Sequence, residues 1–404
     1  MSEDRPGPHV VGQRDSLIAE VFRRYGGRYL ARHRVTREQR LAILNIARCR
    51  TEAMGGHRRK CPHCGYVELH YDSCRDRNCP TCQWMDRATW TVKHAKRMLP
   101  VPSFMVTFTV PSEVSRIARQ NQKRVFALML RASNRALQDL ASASGLGRLG
   151  VTAVLHTWSR TMQWHPHPHL IVTGGGFDGK NWNPTKKPNY LFSTRRIGAL
   201  YRKHLLQGLH QLYDAGELEL AGDLSALIDP IRFGALMTKL WSTKFIVNVQ
   251  PPRGKPEHAV KYLATYTRGV AISDYRMLSL EDGQVTFRTR GDKTLTLGWE
   301  EFIGRFLLHV LPSGFKKVRH YGPYSNSSSK QLEMARQAIL ATQNRPAPEP
   351  EPEAAVLEAK TWEERVAILT GVDPRICPRC KRAGMVMTEL RPRSRASSSP
   401  EDSS

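Results

Sequence analysis

Residues 151–176 read VTAVLHTWSRTMQWHPHPHLIVTGGG. Two β-prone runs flank a short turn, which predicts adjacent strands. The second run carries His165, His167 and His169 at every second position. Strand side chains alternate between faces, so the three imidazoles share one side of a sheet. Such a row makes a poor hydrophobic surface and a good metal-binding one. Two or three neutral imidazoles leave coordination positions open, where an ion polarises a phosphate or activates a water. Mg²⁺ prefers oxygen ligands, whereas Mn²⁺ accepts imidazole readily. Pro166 and Pro168 each remove a backbone donor, which predicts an edge strand or a local irregularity. Gly174–Gly176 would let the following loop approach a phosphate or base closely.

Outward from this hairpin, helical and β-prone stretches alternate irregularly. SFMVTFTV (103–110) is β-rich, and 112–141 reads as one or two basic helices. TKFIVNVQ (243–250) reads as a strand. Residues 270–299 hold turn signals at Asp282-Gly283 and Gly291-Asp292 between β-prone runs, predicting a β-meander. Antiparallel pairs mixed with helices predict an α+β fold. Near the N-terminus, SLIAEVFRRYGGRYLARH (16–33) is amphipathic but broken at Gly26-Gly27, and Thr36 and Gln39 have capping-box spacing. The expected divisions are a disordered 1–14, a helical and zinc-ribbon region over 15–100, and a catalytic domain over 101–325. A polar helix and Pro/Glu-rich linker over 326–360 follow, then a short helix, CPRC and a disordered tail over 361–404.

The 404 residues carry a formal net charge of +26. That excess predicts a polyanionic partner, nucleic acid or an acidic membrane. No apolar run is long enough to cross a bilayer, which favours nucleic acid. The N-terminus MSEDRPGPHVVGQRDS is polar and does not read as a secretory signal, which places the chain in the cytosol. In that reducing compartment the eight cysteines read as metal ligands before disulfides.

Cys61/Cys64 and Cys79/Cys82 form two CxxC pairs with a hairpin-length insert. Four thiolates satisfy tetrahedral Zn²⁺ and leave no open position, so the expected site is structural. Cys74 is the alternate ligand. CPRC at Cys377–Cys380 supplies half a site, whose partner could be another chain, Cys49, Cys74 or nothing. Arg75 and Arg77 beside the ribbon, and Lys180, Lys186 and Lys187 in a glycine- and lysine-rich loop, are candidate phosphate contacts. Helix 112–135 is a further candidate track for DNA.

KYLATYTRG (261–269) places Tyr262 and Tyr266 four residues apart, on one helical face, with Lys261 and Arg268 beside them. A phenol is a weak nucleophile unless its target is activated, which a metal clamping the scissile phosphate achieves.

A cysteine ribbon, His-x-His on a strand followed by glycines, YLATYT leading into VAIS, and LPSGFKKVRHYG resemble the insertion-sequence-91 transposases, rolling-circle enzymes of the HUH class. The resemblance spans about residues 20–325. It implies an HUH endonuclease-like palm with an antiparallel sheet and packed helices, beside an N-terminal zinc ribbon. It also implies His167 and His169 as the metal pair and Tyr262 and Tyr266 as nucleophiles forming a 5′-phosphotyrosine intermediate. The implied substrate is single-stranded DNA at element ends, the implied ion Mg²⁺ or Mn²⁺, and the implied location bacterial cytoplasm with the nucleoid. Pro168 stands where the family carries a bulky apolar residue. His165 and His258 are the candidate third ligands, Glu257 a weaker one. The other readings are a metal-dependent hydrolase using water, which would need carboxylate ligands, and a non-catalytic zinc-ribbon DNA-binding protein whose tyrosines stack on bases.

Overall fold

The computed structural model describes residues 9–10, 16–82, 84–252, 271–343 and 361–392. They belong to two compact units, one within 1–85, 272–310 and 352–404, the other within 86–271 and 311–351.

In the first unit, helix α1 (Leu17–Arg32) starts where the Ser16 hydroxyl accepts from the Ala19 amide, and α2 (Arg37–Arg48) starts at the expected Thr36–Gln39 capping box. Gly26-Gly27 does not break α1. A Cβ on Gly26 would lie 2.8 Å from Ile43 Cγ2, so the missing side chain lets α1 and α2 close on each other. That close packing offsets a helix-propensity cost of about 1 kcal/mol. A four-stranded sheet runs in the order β1 (His9–Val10), β3 (Val67–Tyr71), β2 (Gly56–Lys60), β13 (Val386–Leu390). Arg59 and Glu68, opposite each other on β2 and β3, form a buried ion pair at 2.6 Å.

The meander is present as β9 (Met277–Glu281), β10 (Gln284–Arg288) and β11 (Thr294–Gly298). Its first turn places Asp282 at φ +45° and Gly283 at φ +75°, the two left-handed residues that suit a two-residue hairpin. Helix α8 (Trp299–Leu307) follows, and its Phe306 meets Phe22 edge-on at 5.1 Å. The Asp274 carboxylate accepts from the Ser16 hydroxyl and the Ile18 amide. These contacts put 272–310 in the unit of α1, not in a continuous catalytic domain over 101–325. Helix α10 (Trp362–Thr370) lies in the same unit.

Helix α3 (Trp84–Arg97) leads into the second unit. Its antiparallel sheet has the order β12 (Val318–Tyr321), β5 (Arg148–Trp158), β6 (Trp164–Phe177), β4 (Ser103–Phe108), β8 (Val247–Gln250), with β7 (Trp182–Pro184) also on β6. The basic stretch 112–141 forms two helices, α4 (Ser112–Gln120) and α5 (Gln122–Ala143), with Asn121 between them. Helices α6 (Thr194–Asp214), α7 (Pro230–Ser242) and α9 (Ser329–Gln343) complete the unit. This is the α+β architecture that mixed helices and antiparallel strands predict.

Both sheet faces are covered. Phe104, Val106, Leu155 and Val172 pack with Phe126 of α5 and Tyr201 of α6. Val154 and Ile171, which point the other way, pack with Leu99, Tyr324 and Ile339. Each such fully buried side chain contributes about 1.5–3 kcal/mol. Double coverage explains why β5 is apolar along most of its length rather than alternating.

The prolines sit in a central strand, not an edge. However, β4 pairs with β6 only from His169 to Thr173. Pro166 and Pro168 lie beyond that ladder, their rings buried, where β6 pairs with β5 alone. The strand is therefore locally an edge, and the missing donors cost little. Packing alone requires glycine at Gly174–Gly176. A Cβ would fall 2.9 Å from the Pro102 carbonyl oxygen at Gly174, 2.7 Å from that of Asn183 at Gly175 and 2.6 Å from that of Leu146 at Gly176. Among the described residues, no helix is long and apolar enough to cross a membrane.

Candidate functional site

The histidine run does present one face, and the hairpin adds a residue to it. His156 on β5 stands directly opposite His167 on β6. The ligand nitrogens of His156, His167 and His169 all lie within 4.8 Å of one another. His156 Nδ1 is 3.3 Å from His167 Nε2, close to the spacing of two imidazole nitrogens sharing a tetrahedral ion with bonds of about 2.0–2.1 Å.

Neighbouring groups set the ring orientations. His167 Nδ1 donates to the backbone carbonyl of His165, which leaves Nε2 as the lone pair facing His156. His169 Nδ1 is paired with the Thr107 hydroxyl at 3.1 Å. Partners of this kind fix the tautomer of a metal-bound histidine. Burial pushes His167 down to about 3 and His169 down to about 4, so both rings are neutral and can donate a lone pair at physiological pH. His165 is exposed and outside the convergent set. It shares the face but lies two residues further along β6, so the third imidazole is His156 and not His165. Plain counting back from the Trp158–Trp164 pair would set His156 against Pro166; a one-residue register shift between His156 and Trp158, the local irregularity that the prolines predict, brings His167 opposite instead.

Trp158 packs on His156 with ring centroids 4.0 Å apart, and Lys317 Nζ lies 5.2 Å from the Trp158 centroid. A cation thus stands near the imidazoles. Beside β12, a cleft of about 740 Å³ is lined by Lys123, Arg124, Arg131, Lys316 and Arg319. The first three belong to α5, within the stretch predicted as a DNA track. Lys180, Lys186 and Lys187 are exposed but follow the far end of β6. Phe177 lies eight residues beyond His169, or about 26 Å along a strand. Arg75 and Arg77 are exposed between Cys74 and Cys79. Tyr262, Tyr266, Lys261, Arg268, Glu257 and His258 lie outside the described residues.

The two CxxC pairs do not share a site. Cys49, Cys74, Cys79 and Cys82 form one group, and Cys61, Cys64, Cys377 and Cys380 another. Within them, Cys74 and Cys82 sulfurs are 3.7 Å apart, Cys61 and Cys380 3.6 Å, and Cys64 and Cys377 3.7 Å. Tetrahedral Zn–S bonds of about 2.3 Å put sulfurs about 3.8 Å apart, so both groups fit zinc. The ion pair of β2 and β3 and the ladder between them hold Cys61 away from Cys79. Cys49, at the C-cap of α2, accepts from the Cys74 amide at 3.4 Å, and Cys49 and Cys74 stand where Cys61 and Cys64 were expected beside Cys79 and Cys82. In the second group Cys61, though desolvated, is held down at about 6 by the Cys64 and His63 amides. Cys64 rises to about 11: the Tyr66 amide opposes the rise, while burial and the neighbouring sulfurs drive it. Four crowded thiols cannot all ionise without a cation among them.

Comparison with known proteins bears on both regions. Residues 21–110 match the family described as "Transposase zinc-binding domain", and residues 150–331 that described as "Putative transposase". A Sinorhizobium fredii protein named as a transposase, y4qJ, is 38% identical over 384 residues, 92% of this chain and 95% of its own length. The transposase for insertion sequence element IS801 of Pseudomonas savastanoi pv. phaseolicola is 26% identical over 293 residues, 70% of each chain. Among solved structures, the origin-recognition/nickase domain of a human bocavirus non-structural protein 1 covers 41% of this chain and 75% of its own, at 12% identity and a TM-score of 0.26, too slight to bear on the fold.

Proposed function

The chain belongs to the insertion-sequence-91 family of transposases, and from that premise we propose that it nicks and joins single-stranded DNA at element ends through a tyrosine ester. The observation that carries this reading is the convergent set of three imidazoles, His156, His167 and His169, on a central hairpin, with His167 and His169 held neutral by burial. Among the described residues no carboxylate joins them. That donor set favours Mn²⁺ over Mg²⁺ and weighs against a water-activating hydrolase that relies on carboxylate ligands. His156, His167 and His169 would hold a divalent ion, which when bound would neutralise charge on the scissile phosphate.

The residues of the chain do the rest. Lys317 and the cations of the α5 cleft hold the flanking phosphates. The phenolic oxygen of Tyr262 or Tyr266 attacks phosphorus and loses its proton. The bond from phosphorus to the 3′ oxygen breaks, and that oxygen leaves as a 3′-hydroxyl once protonated. The product is a 5′-phosphotyrosine ester, which conserves the energy of the cut strand. Attack on the ester by a 3′-hydroxyl joins the strands and frees the phenol. Two tyrosines can hold two 5′ ends in turn, as rolling-circle transposition requires.

The test is labelled single-stranded DNA bearing an element end, incubated with the protein and Mn²⁺ or Mg²⁺ and resolved under denaturing conditions. A covalent protein–DNA species is expected, abolished by Tyr262→Phe with Tyr266→Phe. Cleavage without that species would support a hydrolase, and binding without cleavage a non-catalytic DNA-binding protein.

A further inference from the structure

We propose that the chain carries two structural zinc ions, and that the second is a clasp in which Cys377 and Cys380 fasten the C-terminal segment to Cys61 and Cys64. This inference is independent of the tyrosine chemistry. The zinc-binding family match ends at residue 110 and takes in neither Cys377 nor Cys380.

Three observations carry it. The two CPxC turns are built alike. The Cys61 amide donates to the Tyr66 carbonyl at 2.8 Å and the Gly65 amide to the Cys61 carbonyl at 3.1 Å. Likewise the Cys377 amide donates to the Arg382 carbonyl and the Lys381 amide to the Cys377 carbonyl, both at 2.9 Å. Gly65 has φ +71°, and Lys381 takes φ +61° at the matching position. A side chain in that conformation is strained, so the CPRC turn keeps the knuckle shape against its own residue preference.

The sulfurs also interleave. Cys61 faces Cys380 at 3.6 Å and Cys64 faces Cys377 at 3.7 Å. These separations are far too long for disulfides of about 2.05 Å and suit a shared tetrahedral ion.

Finally, the C-terminal segment has little else to hold it. Of residues 361–392, only Pro374 and Cys377 are buried among those described, and Val386 and Met387 on β13 are 57% and 46% exposed. The β13–β2 ladder, Val386 opposite Lys60 through Leu390 opposite Gly56, brings backbone pairing without an apolar face. A strand attached in that way needs a further anchor, and zinc across four thiolates supplies one.

The test uses the full-length protein, with zinc counted by native mass spectrometry and thiolate-bound metal read from the sulfur-to-cobalt charge-transfer band after Co²⁺ substitution. That band ignores ions bound by histidine alone. Cys377→Ser with Cys380→Ser should remove one zinc and about half the band. Cys61→Ser with Cys64→Ser should do the same, and all four together should lose no more than either pair. An unchanged zinc count and band in the Cys377/Cys380 variant overturns the clasp, as does a larger loss in the fourfold variant. If the variants do not fold, Co²⁺ titration of the metal-stripped wild type decides. Saturation of the band at two equivalents supports the clasp, and saturation at one overturns it.

Discussion

The cysteine groups and the histidine group are both convergent, largely buried sets of soft or borderline donors, yet they can do opposite things. Each cysteine group supplies four thiols, which fill a tetrahedral ion and leave nothing for a substrate. The histidine group stops at three, on strands held rigid by a core on both faces. On the proposed function, ligand count would therefore separate a metal that holds the chain together from one that meets a phosphate. The sources of the ligands differ as well. The histidines come from one hairpin, so a folded sheet presets them. The cysteines come from segments as distant as residues 61 and 380, so the ladders of β2 with β3 and β13 must form before they meet.

The sharpest contrast comes from removing one ligand of each kind. Cys49→Ser should cost much of the folding free energy of the first unit, since structural zinc contributes on the order of 10 kcal/mol in small zinc domains. Zinc loss with a broadened thermal transition is the expected result. His156→Ala should leave the melting transition nearly in place and lower metal-dependent strand cleavage by about 100-fold or more, beyond the loss expected from an outer-shell partner. If His156→Ala unfolded the protein while Cys49→Ser did not, the division into structural and chemical sites would be reversed.

A smaller effect is expected from Thr107→Val, which deletes the partner of His169 Nδ1 without touching the other rings. Metal affinity should fall by about 10-fold, as a rise in the Mn²⁺ concentration needed for half-maximal cleavage. Stability should also respond to acid. His320, buried beside His94 and Arg97, is pushed down to about 3 by desolvation and by those cations. The unfolded imidazole takes up a proton near pH 6.5 and the buried one does not. Its contribution is therefore complete above about pH 6.5 and is lost as pH falls towards the folded value, at up to about 1.4 kcal/mol per pH unit. Melts from pH 7 to 5 should show that slope, reduced in His320→Asn. The smallest effect belongs to His165→Ala, whose ring lies outside the convergent set. Its Mn²⁺ dependence should match the wild type, and a loss equal to that of His156→Ala would bring His165 back as a ligand.

Much of this arrangement is legible in the chain. Period-two spacing puts His167 and His169 on one face, the Asp282-Gly283 and Gly291-Asp292 turns mark the meander, and Thr36 with Gln39 marks a helix start. What depends on non-local contact is not legible. CxxC spacing identifies knuckles, but the choice of partner follows from the ladders of β2 with β3 and β13, so the two pairs read as one site belong to two. Gly26 reads as a break because propensity is local, whereas its fit against Ile43 is tertiary. The prolines read as an edge because a sequence does not say where the neighbouring strand β4 ends. His156 was hidden twice, in an otherwise apolar strand and behind a one-residue register shift that simple counting across the turn does not reveal.

The Mn²⁺ dependence of covalent adduct formation on single-stranded DNA, measured side by side for wild type and His156→Ala, tests the central claim most directly. A three-imidazole catalytic site predicts that His156→Ala needs at least about 10-fold more Mn²⁺ or forms no adduct, with its thermal transition unchanged. An adduct formed by His156→Ala at the wild-type Mn²⁺ concentration and to the wild-type extent would contradict it.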